Sequence, residues 1–404
     1  MRIISLASTI WTERWMNRQQ LMSRLGRRNT VLYSNSSWHT WDRHDVRWKQ
    51  TSWGGDFKFR DNVWVESTPR WMMRNPRFGV FDQAVTRMHA ARWRSWLATR
   101  GHGPLVLHMF DPAYVDYIDQ VRPDAVVYQP YDGFAFMPGW SDRLEAAERH
   151  LLARADAVIT PSETLSAALE NKSKRPVCVV PNGVDIELFE NALAARPPAP
   201  PDLGSIPHPR LGYCGWLESH VDLSMVAELA TRHPDWHFVF VGGRTPHADG
   251  RLVRELAQCE GKRNIHFLGP KHRTEVPAYM LNMDVNTICW RLEKGSWADF
   301  GYPLKLQEYL ACGRSIVSAD LHLVRTKLSH LIRTASSVDE WDVAIQEVLR
   351  TGGPGSPAER TAVARENSWD RRSEQLQAIL DGVLDGTRRQ STPTALSSWD
   401  QPRT

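Results

Sequence analysis

The chain has 404 residues, 42% of them hydrophobic and 24% charged, which excludes a disordered or collagen-like protein and allows two ordinary cores rather than one. The net charge of +4 hides an asymmetry: residues 1–100 hold eighteen Lys/Arg against seven Asp/Glu, together with ten of the eighteen tryptophans, while the remainder is mildly acidic. No apolar run approaches the ~18–20 residues that span a bilayer. The five cysteines are widely spaced and contain no CxxC pair, which argues against a disulfide framework or a zinc site and fits buried free thiols in a reducing cytoplasm.

Apolar runs predict strands at Ile3–Ala7, Thr30–Ser34, Leu105–Phe110, Ala125–Tyr128, Ala157–Thr160 and Val177–Val180. The first of these follows Arg2 and could pass for a signal peptide. Its apolar part is short and no small-residue cleavage site follows, so it reads as a buried strand. Amphipathic patterns predict helices at Met16–Arg28, Phe81–Arg100, Ser141–Arg154 and Glu163–Asn171. Strands alternating with helices imply a parallel sheet covered on both faces. Residues 36–78 break this rhythm, and their mixture of Trp, Arg, Asp and Ser predicts long surface loops.

Six of the fifteen residues from Arg196 to Arg210 are proline, which marks a linker because proline can continue neither a helix nor a central strand. Alternation then restarts, with strands expected at Arg210–Cys214, Trp236–Val241, Asn264–Leu268, Val285–Cys289 and Ser315–Ser318. Helices are expected at Val221–His233, Gly250–Glu260, Glu275–Leu281, Leu304–Cys312 and Val338–Arg350, and a final one at about 369–384. The predicted domains are therefore 1–195 and 205–365, the last helix (about 369–387) completing the first, with a polar, disordered tail at 388–404. The class is α/β.

Ligands of open parallel sheets bind beyond the carboxyl ends of the strands. Four segments fall at such ends. Pro181-Asn182-Gly183-Val184-Asp185 is a tight turn. Gly215 follows a strand and precedes a helix, where backbone can approach an anion. Asn264–Gly269 ends a strand at a glycine, whose exposed backbone can pair with the edge of a base. In Tyr302–Val317, Pro303 suits a helix start, Gly313 a helix stop, and Lys305 and Glu308 share one face. The last pair reads either as a surface ion pair or as a cation for a diphosphate beside a carboxylate for ribose hydroxyls.

Together, in this order, these segments resemble the group 1 glycosyltransferases of GT-B architecture, in which two Rossmann-like domains with parallel sheets face a central cleft. The likeness is greatest to the subgroup that includes a teichuronic acid biosynthesis glycosyltransferase and looser to xanthan glucuronosyltransferase. Arg18-Gln19-Gln20 after Trp11, the stretch from Glu148 to Ser162, and Ser368-Trp369-Asp370 also match, whereas 36–78 does not. The resemblance implies a nucleotide-diphosphate sugar in the C-terminal domain and the acceptor in the N-terminal domain. Carried over, Lys305 meets the diphosphate, Glu308 the ribose, Gly215 the phosphates through its backbone, and Phe267–Gly269 the base. No cofactor and no essential metal are expected. Two departures stand out: Gly301 occupies the place of a second glutamate, with Glu293 and Asp299 nearby, and only His220 stands where a basic pair follows the glycine turn.

Transfer needs a stabilised leaving diphosphate and, for inversion, a base for the acceptor hydroxyl. Asp132, in Tyr131-Asp132-Gly133, is the preferred base candidate, with a turn-forming role as the plain alternative. Asp111 and His108 also lie near strand ends and, with Arg18, are acceptor-side candidates. The expected function is transfer to a glycan or lipid-diphosphate-linked acceptor in bacterial polysaccharide or cell-envelope glycan synthesis, in the cytoplasm. Trp38, Trp41, Trp48 and Trp53 with Arg43, Arg47 and Lys49 would meet sugars, phosphates or the anionic inner face of the membrane, and no nucleic acid. A nucleotide-sugar epimerase, a sugar phosphorylase, or a binding protein without turnover on the same fold are the alternatives.

Overall fold

The computed structural model describes residues 1–11, 15–137, 139–245, 249–293 and 300–391, with side chains as far as 386. Two sheets carry the chain. The first is built from β1 (Arg2–Leu6), β2 (Thr30–Ser34), β4 (Asp56–Arg60), β5 (Val63–Ser67), β7 (Leu105–Met109), β8 (Ala125–Tyr128), β9 (Ala157–Thr160) and β10 (Val177–Val179). β3 (Trp38–His39) and β6 (Met73–Arg74) form a separate two-stranded ladder. The order across the first sheet is β10-β9-β8-β7-β1-β2-β5-β4, parallel throughout except for the β4/β5 pair. The second sheet runs β13-β12-β11-β14-β15-β16 and is wholly parallel. Its strands are β11 (Arg210–Cys214), β12 (His237–Val241), β13 (Ile265–Phe267), β14 (Val285–Ile288), β15 (Ser315–Ala319) and β16 (Arg333–Ala335).

Central parallel strands are buried on both faces and so read as apolar runs. In β1, Ile4 and Leu6 join one core with Trp93, Leu151 and Leu165, while Ile3 joins the other with Leu21, Leu376 and Leu380. The final helix Trp369–Ser391 thus covers the first sheet beside the helix Asn17–Leu25. Helix starts are set locally: Ser141, Ser162, Asp222, Asp249, Ser337 and Ser356 each accept from an N–H of the first helical turn, a contact worth about 1 kcal/mol.

Residues 36–78 are not long surface loops. β4 and β5 form a hairpin closed by Asp61 and Asn62, both at positive φ, and β5 extends the sheet alongside β2. An Asp-Asn pair between alternating segments is a hairpin signal that composition alone obscures. Behind β5 the fully buried Glu66 accepts from Ser34 Oγ (2.6 Å), Trp93 Nε1 (2.6 Å) and His89 Nε2 (3.0 Å), which anchors this segment to the core. The helices Ile186–Ala195 and Pro357–Glu366 and the strand β16 are further elements that the periodicity did not reveal. The last helix continues to Ser391, so the expected tail starts no earlier than 392, and residues from there on lie outside the described residues.

The chain returns from the second sheet to the first where Val184 N–H bonds Asn367 O (3.0 Å) and Trp369 N–H bonds Val184 O (3.0 Å). A Cβ on Gly183 would stand 2.8 Å from Asn367 O and 2.9 Å from Trp369 N. Gly183→Ala is therefore expected to lower stability by about 1–3 kcal/mol, read as a lower urea midpoint. An unchanged midpoint would mean that the crossing opens without cost.

Candidate active site

A cavity of about 670 Å³ lies between the two sheets, at the ends of their strands. The second-sheet wall starts from three neighbouring strands that each run into a glycine: Gly215 after β11, Gly242 after β12 and, beyond Leu268, Gly269 after β13. Gly215 N–H bonds Val241 O (2.9 Å) and Gly242 N–H bonds Gly269 O (2.9 Å). A Cβ on Gly242 would sit 2.0 Å from Gly215 O, and one on Gly215 would meet Lys305 Cε at 2.9 Å. Backbone and lysine approach so closely only because these side chains are absent.

Lys305 and Glu308 project from the helix Leu304–Ala311, and both line the cavity. Tyr309, on the buried side of the same helix, accepts the Cys214 N–H with its hydroxyl (2.8 Å) and so fixes the helix to the end of β11. Lys305 Nζ stands 4.8 Å from the Tyr213 ring centre and 4.9 Å from that of Trp290. Among the described residues Lys305 makes no ion pair. Burial lowers its pKa to about 8 against the opposing pull of Glu308. Burial likewise raises Glu308 to about 7, with Lys305 opposing and Asp185 adding to the rise. His220, also in the wall, is held neutral by burial and the charge of Lys305, at about 3.

The first-sheet wall carries Asp132 with Tyr131, Trp15, Met16, Asn17 and Arg18. Desolvation raises Asp132 to about 7, with Arg18 opposing and Glu218 reinforcing. Arg18 is 2% exposed, donates from Nε to Thr9 Oγ1 (2.9 Å), and lies over the Tyr131 ring at 3.8 Å.

The other sequence candidates fall elsewhere. His108 is fully buried within β7, bonded to Gln129 (2.9 Å) and lowered to about 4 by burial. It is a sheet-core residue rather than part of the cleft wall, because an inward-facing position in a central strand is covered by the layer above it. Asp111 accepts the Ala113 N–H (2.9 Å) and starts a short 3-10 turn, outside the cavity wall. Phe267 stacks on Phe240 and lies under Arg244, and neither Phe267 nor Gly269 lines the cavity. Their successors Pro270 and Lys271 do. Gly301 is in the wall, Glu293 pairs with Arg251 (2.6 Å), and Asp299 lies outside the described residues. The Asn182 amide donates to Tyr302 O (2.7 Å), so the Pro-Asn-Gly turn braces the strap that leads into the helix of Lys305. Gly242, Glu218, Lys271 and Arg273 are cavity residues that sequence reasoning missed. Only Gly242 left a signal, a second glycine after an apolar run.

Two family models match consecutive parts of the chain: "Glycosyltransferase Family 4" over residues 39–188 and "Glycosyl transferases group 1" over 208–351. The second half of the chain thus carries a group 1 glycosyltransferase domain, and most of the first half a glycosyltransferase family 4 domain. The family match begins at 39, so most of the segment 36–78, which had shown no likeness, is part of the family's domain. A Bacillus subtilis protein named as a candidate teichuronic acid biosynthesis glycosyltransferase, TuaH, is 29% identical to this chain over 239 residues, 56% of this chain and 57% of its own length. The match thus spans little more than half of that relative. The fold is shared with sucrose-phosphate synthase of Thermosynechococcus elongatus (TM-score 0.68, 14% identity, 95% and 99% of the two chains). It is also shared with Anabaena HepE, solved with UDP-glucose (TM-score 0.66, 15% identity, 95% and 100%). Both are GT-B glycosyltransferase folds.

The glycine contacts predict a ranking. Gly269 has φ +71° and open space around its Cβ position, so Gly269→Ala is expected to cost only the left-handed strain, about 1–2 kcal/mol. Gly242→Ala adds a collision with the Gly215 carbonyl and is expected to cost about 3 kcal/mol or more. Urea unfolding of the two variants checks the order, and equal costs would contradict the close approach.

Proposed function

We propose that this glycosyltransferase moves a sugar from a nucleoside diphosphate, held by residues 205–365, to an acceptor held by residues 1–195 and the last helix, without an essential metal or cofactor. The observation that carries the reading is Lys305: a half-buried cation among aromatic rings, with no ion partner among the described residues, beside three strand ends that run into glycine. A diphosphate supplies the missing countercharge, and the charge that develops as it leaves is met by Lys305, beside the close-set backbone turn at Gly215. Glu308, one turn along, takes ribose hydroxyls. The nucleobase lies near Pro270 and Lys271. Support for the donor class comes from HepE, whose structure contains UDP-glucose.

Across the cavity Asp132 removes the proton of the acceptor hydroxyl, the requirement of an inverting transfer. Its pKa near 7 places it where a base is both partly ionised and strong enough to act. The likeness to TuaH supports a cell-envelope glycan as product, and a glycan or lipid-diphosphate-linked acceptor at the inner membrane face fits the first half. There Trp41, Trp53, Trp71, Phe78, Val80 and Phe81 are exposed, among exposed Arg43, Lys49, Arg77 and Arg87. Trp38 and Trp48 instead donate their indole N–H groups to Thr68 O and Arg70 O. Among the described residues no helix is long and apolar enough to cross a membrane, so contact would be peripheral.

Nucleotide release measured with and without acceptor tests the reaction, since a binding protein releases none and an epimerase needs no acceptor. Lys305→Ala is expected to cut turnover at least about 100-fold, and Glu308→Ala to weaken nucleotide binding by about 1–3 kcal/mol. Normal binding and turnover in both would remove the donor from this helix.

The pH dependence follows from the sign of the Asp132 shift. The carboxylate is the active form, so kcat/KM should rise with pH through about 7. Asp132→Asn should abolish that limb and lower the rate by about 100-fold or more with donor binding intact. A retained limb would assign the base elsewhere.

Flotation with vesicles tests the surface. Binding should require anionic lipid, weaken with salt, and fall in a Phe78→Ser, Val80→Ser, Phe81→Ser variant. Equal binding to neutral vesicles, or none, would defeat the membrane contact.

A further inference from the structure

The first-sheet wall of the cavity contains a second cation with no ion-pair partner among the described residues. Met16, Asn17 and Arg18 line it at the N-terminus of the nine-residue helix Asn17–Leu25, whose first turn contains no acidic residue. A helix start carries partial positive charge and N–H groups that favour an anion. Arg18 adds a full charge at the same place. It is 2% exposed, and its Nη1 has no hydrogen-bond partner among the described residues. Among those residues it forms no ion pair either. Asp132 and Asp111 feel its charge, yet burial raises the pKa of both. Neither supplies the contact countercharge that a buried guanidinium needs to offset its desolvation. Apart from Lys305, two other cations of the cavity wall are compensated: Lys271 pairs with Asp202 (2.6 Å), and Arg273 stands 3.7 Å from Asp185 and over the Trp15 ring.

We infer that the start of the helix Asn17–Leu25 and the Arg18 guanidinium form an anion subsite on the acceptor side of the cleft, so that the accepting sugar carries a carboxylate or a phosphate. This rests on the donor reading above, because Lys305 on the opposite wall is taken to hold the diphosphate and leaves Arg18 for a different anion. The guanidinium, seated on Tyr131 beside Asp132, would hold the anionic sugar by its charged group next to the base. The subsite therefore selects among acceptors by charge.

Three sugars that differ in charge test it: glucose, glucuronate and glucose 6-phosphate, titrated calorimetrically into protein saturated with UDP or GDP. At least one charged sugar should bind about tenfold or more tighter than glucose, and the better of the two identifies carboxylate or phosphate. Arg18→Met should remove that preference and Arg18→Lys should restore part of it, with nucleotide binding unchanged in both. No preference for the charged sugars in the wild type, whether from equal binding or from none, overturns the inference, as does a preference that survives Arg18→Met. If Arg18→Met does not fold, the wild-type comparison still decides. A preference seen only between UDP-glucuronate and UDP-glucose assigns the anion to the donor and overturns the acceptor subsite. Failure of every nucleotide to bind would instead sink the donor reading, and the sugars titrated alone would still report on Arg18.

Discussion

Burying a cation away from water is unfavourable unless an anion or a dipole replaces the lost hydration, and the interior of this cleft is arranged around that constraint. Lys305 lies between Tyr213 and Trp290, whose ring faces replace only part of what water supplied. The surrounding backbone is drawn in until Gly215 and Gly242 almost touch. Glu308, half-buried on the same helix face, is pushed toward its neutral form rather than into a close ion pair. The wall is thus left with unspent positive potential facing the cavity. In the proposed reading a diphosphate satisfies it, which would link the packing of three strand ends to the choice of substrate.

That wall is useful only if the opposite one is held at a fixed distance, and several contacts far apart in sequence serve this end. The Gly183–Asp185 segment pairs with Asn367–Trp369. Arg24 of the first half reaches both Asp185 (3.4 Å) and Asp370 (3.0 Å). Ser162 Oγ donates to Phe300 O (2.6 Å), and the Phe300 ring stacks on Phe136 at 4.1 Å, close to the turn that carries Asp132. The strap from Phe300 to Pro303 then enters the helix of Lys305. Asp132 and Lys305 therefore sit at two ends of one short series of contacts.

The tryptophans of the first hundred residues range from core to exposed, with Trp15, Trp38, Trp48 and Trp64 half-buried between the extremes. Trp93 and Trp96 are core residues, and Trp93 also satisfies the buried Glu66. Trp41, Trp53 and Trp71 remain exposed. A residue count cannot separate these groups, because the same indole is favoured in a packed core and at a wet boundary. The basic surplus divides similarly: Arg74 is buried against Asp82 (2.6 Å) and also pairs with Asp116, whereas Arg43, Lys49 and Arg77 remain exposed.

Most strands of both sheets were legible because a parallel strand covered on both faces must be apolar along its length, as in Leu105–Met109 and Ser315–Ala319. The helix Leu304–Ala311 was legible too: its proline start, its glycine stop and the three-residue spacing of Lys305 and Glu308 are all local. The hairpin Asp56–Ser67 escaped because its outer face is polar, and the helix Pro357–Glu366 because little of its surface is apolar. Sequence could put Asp132, Asp111 and His108 near strand ends but could not rank them, since burial and access depend on which layers pack above each position. His108 went into the sheet core, Asp111 to a turn and Asp132 to the cleft. The same holds for Arg18, whose residue type was plain from the start. That it forms no ion pair among the described residues depends on where the other charges stand, and only the folded chain decides that.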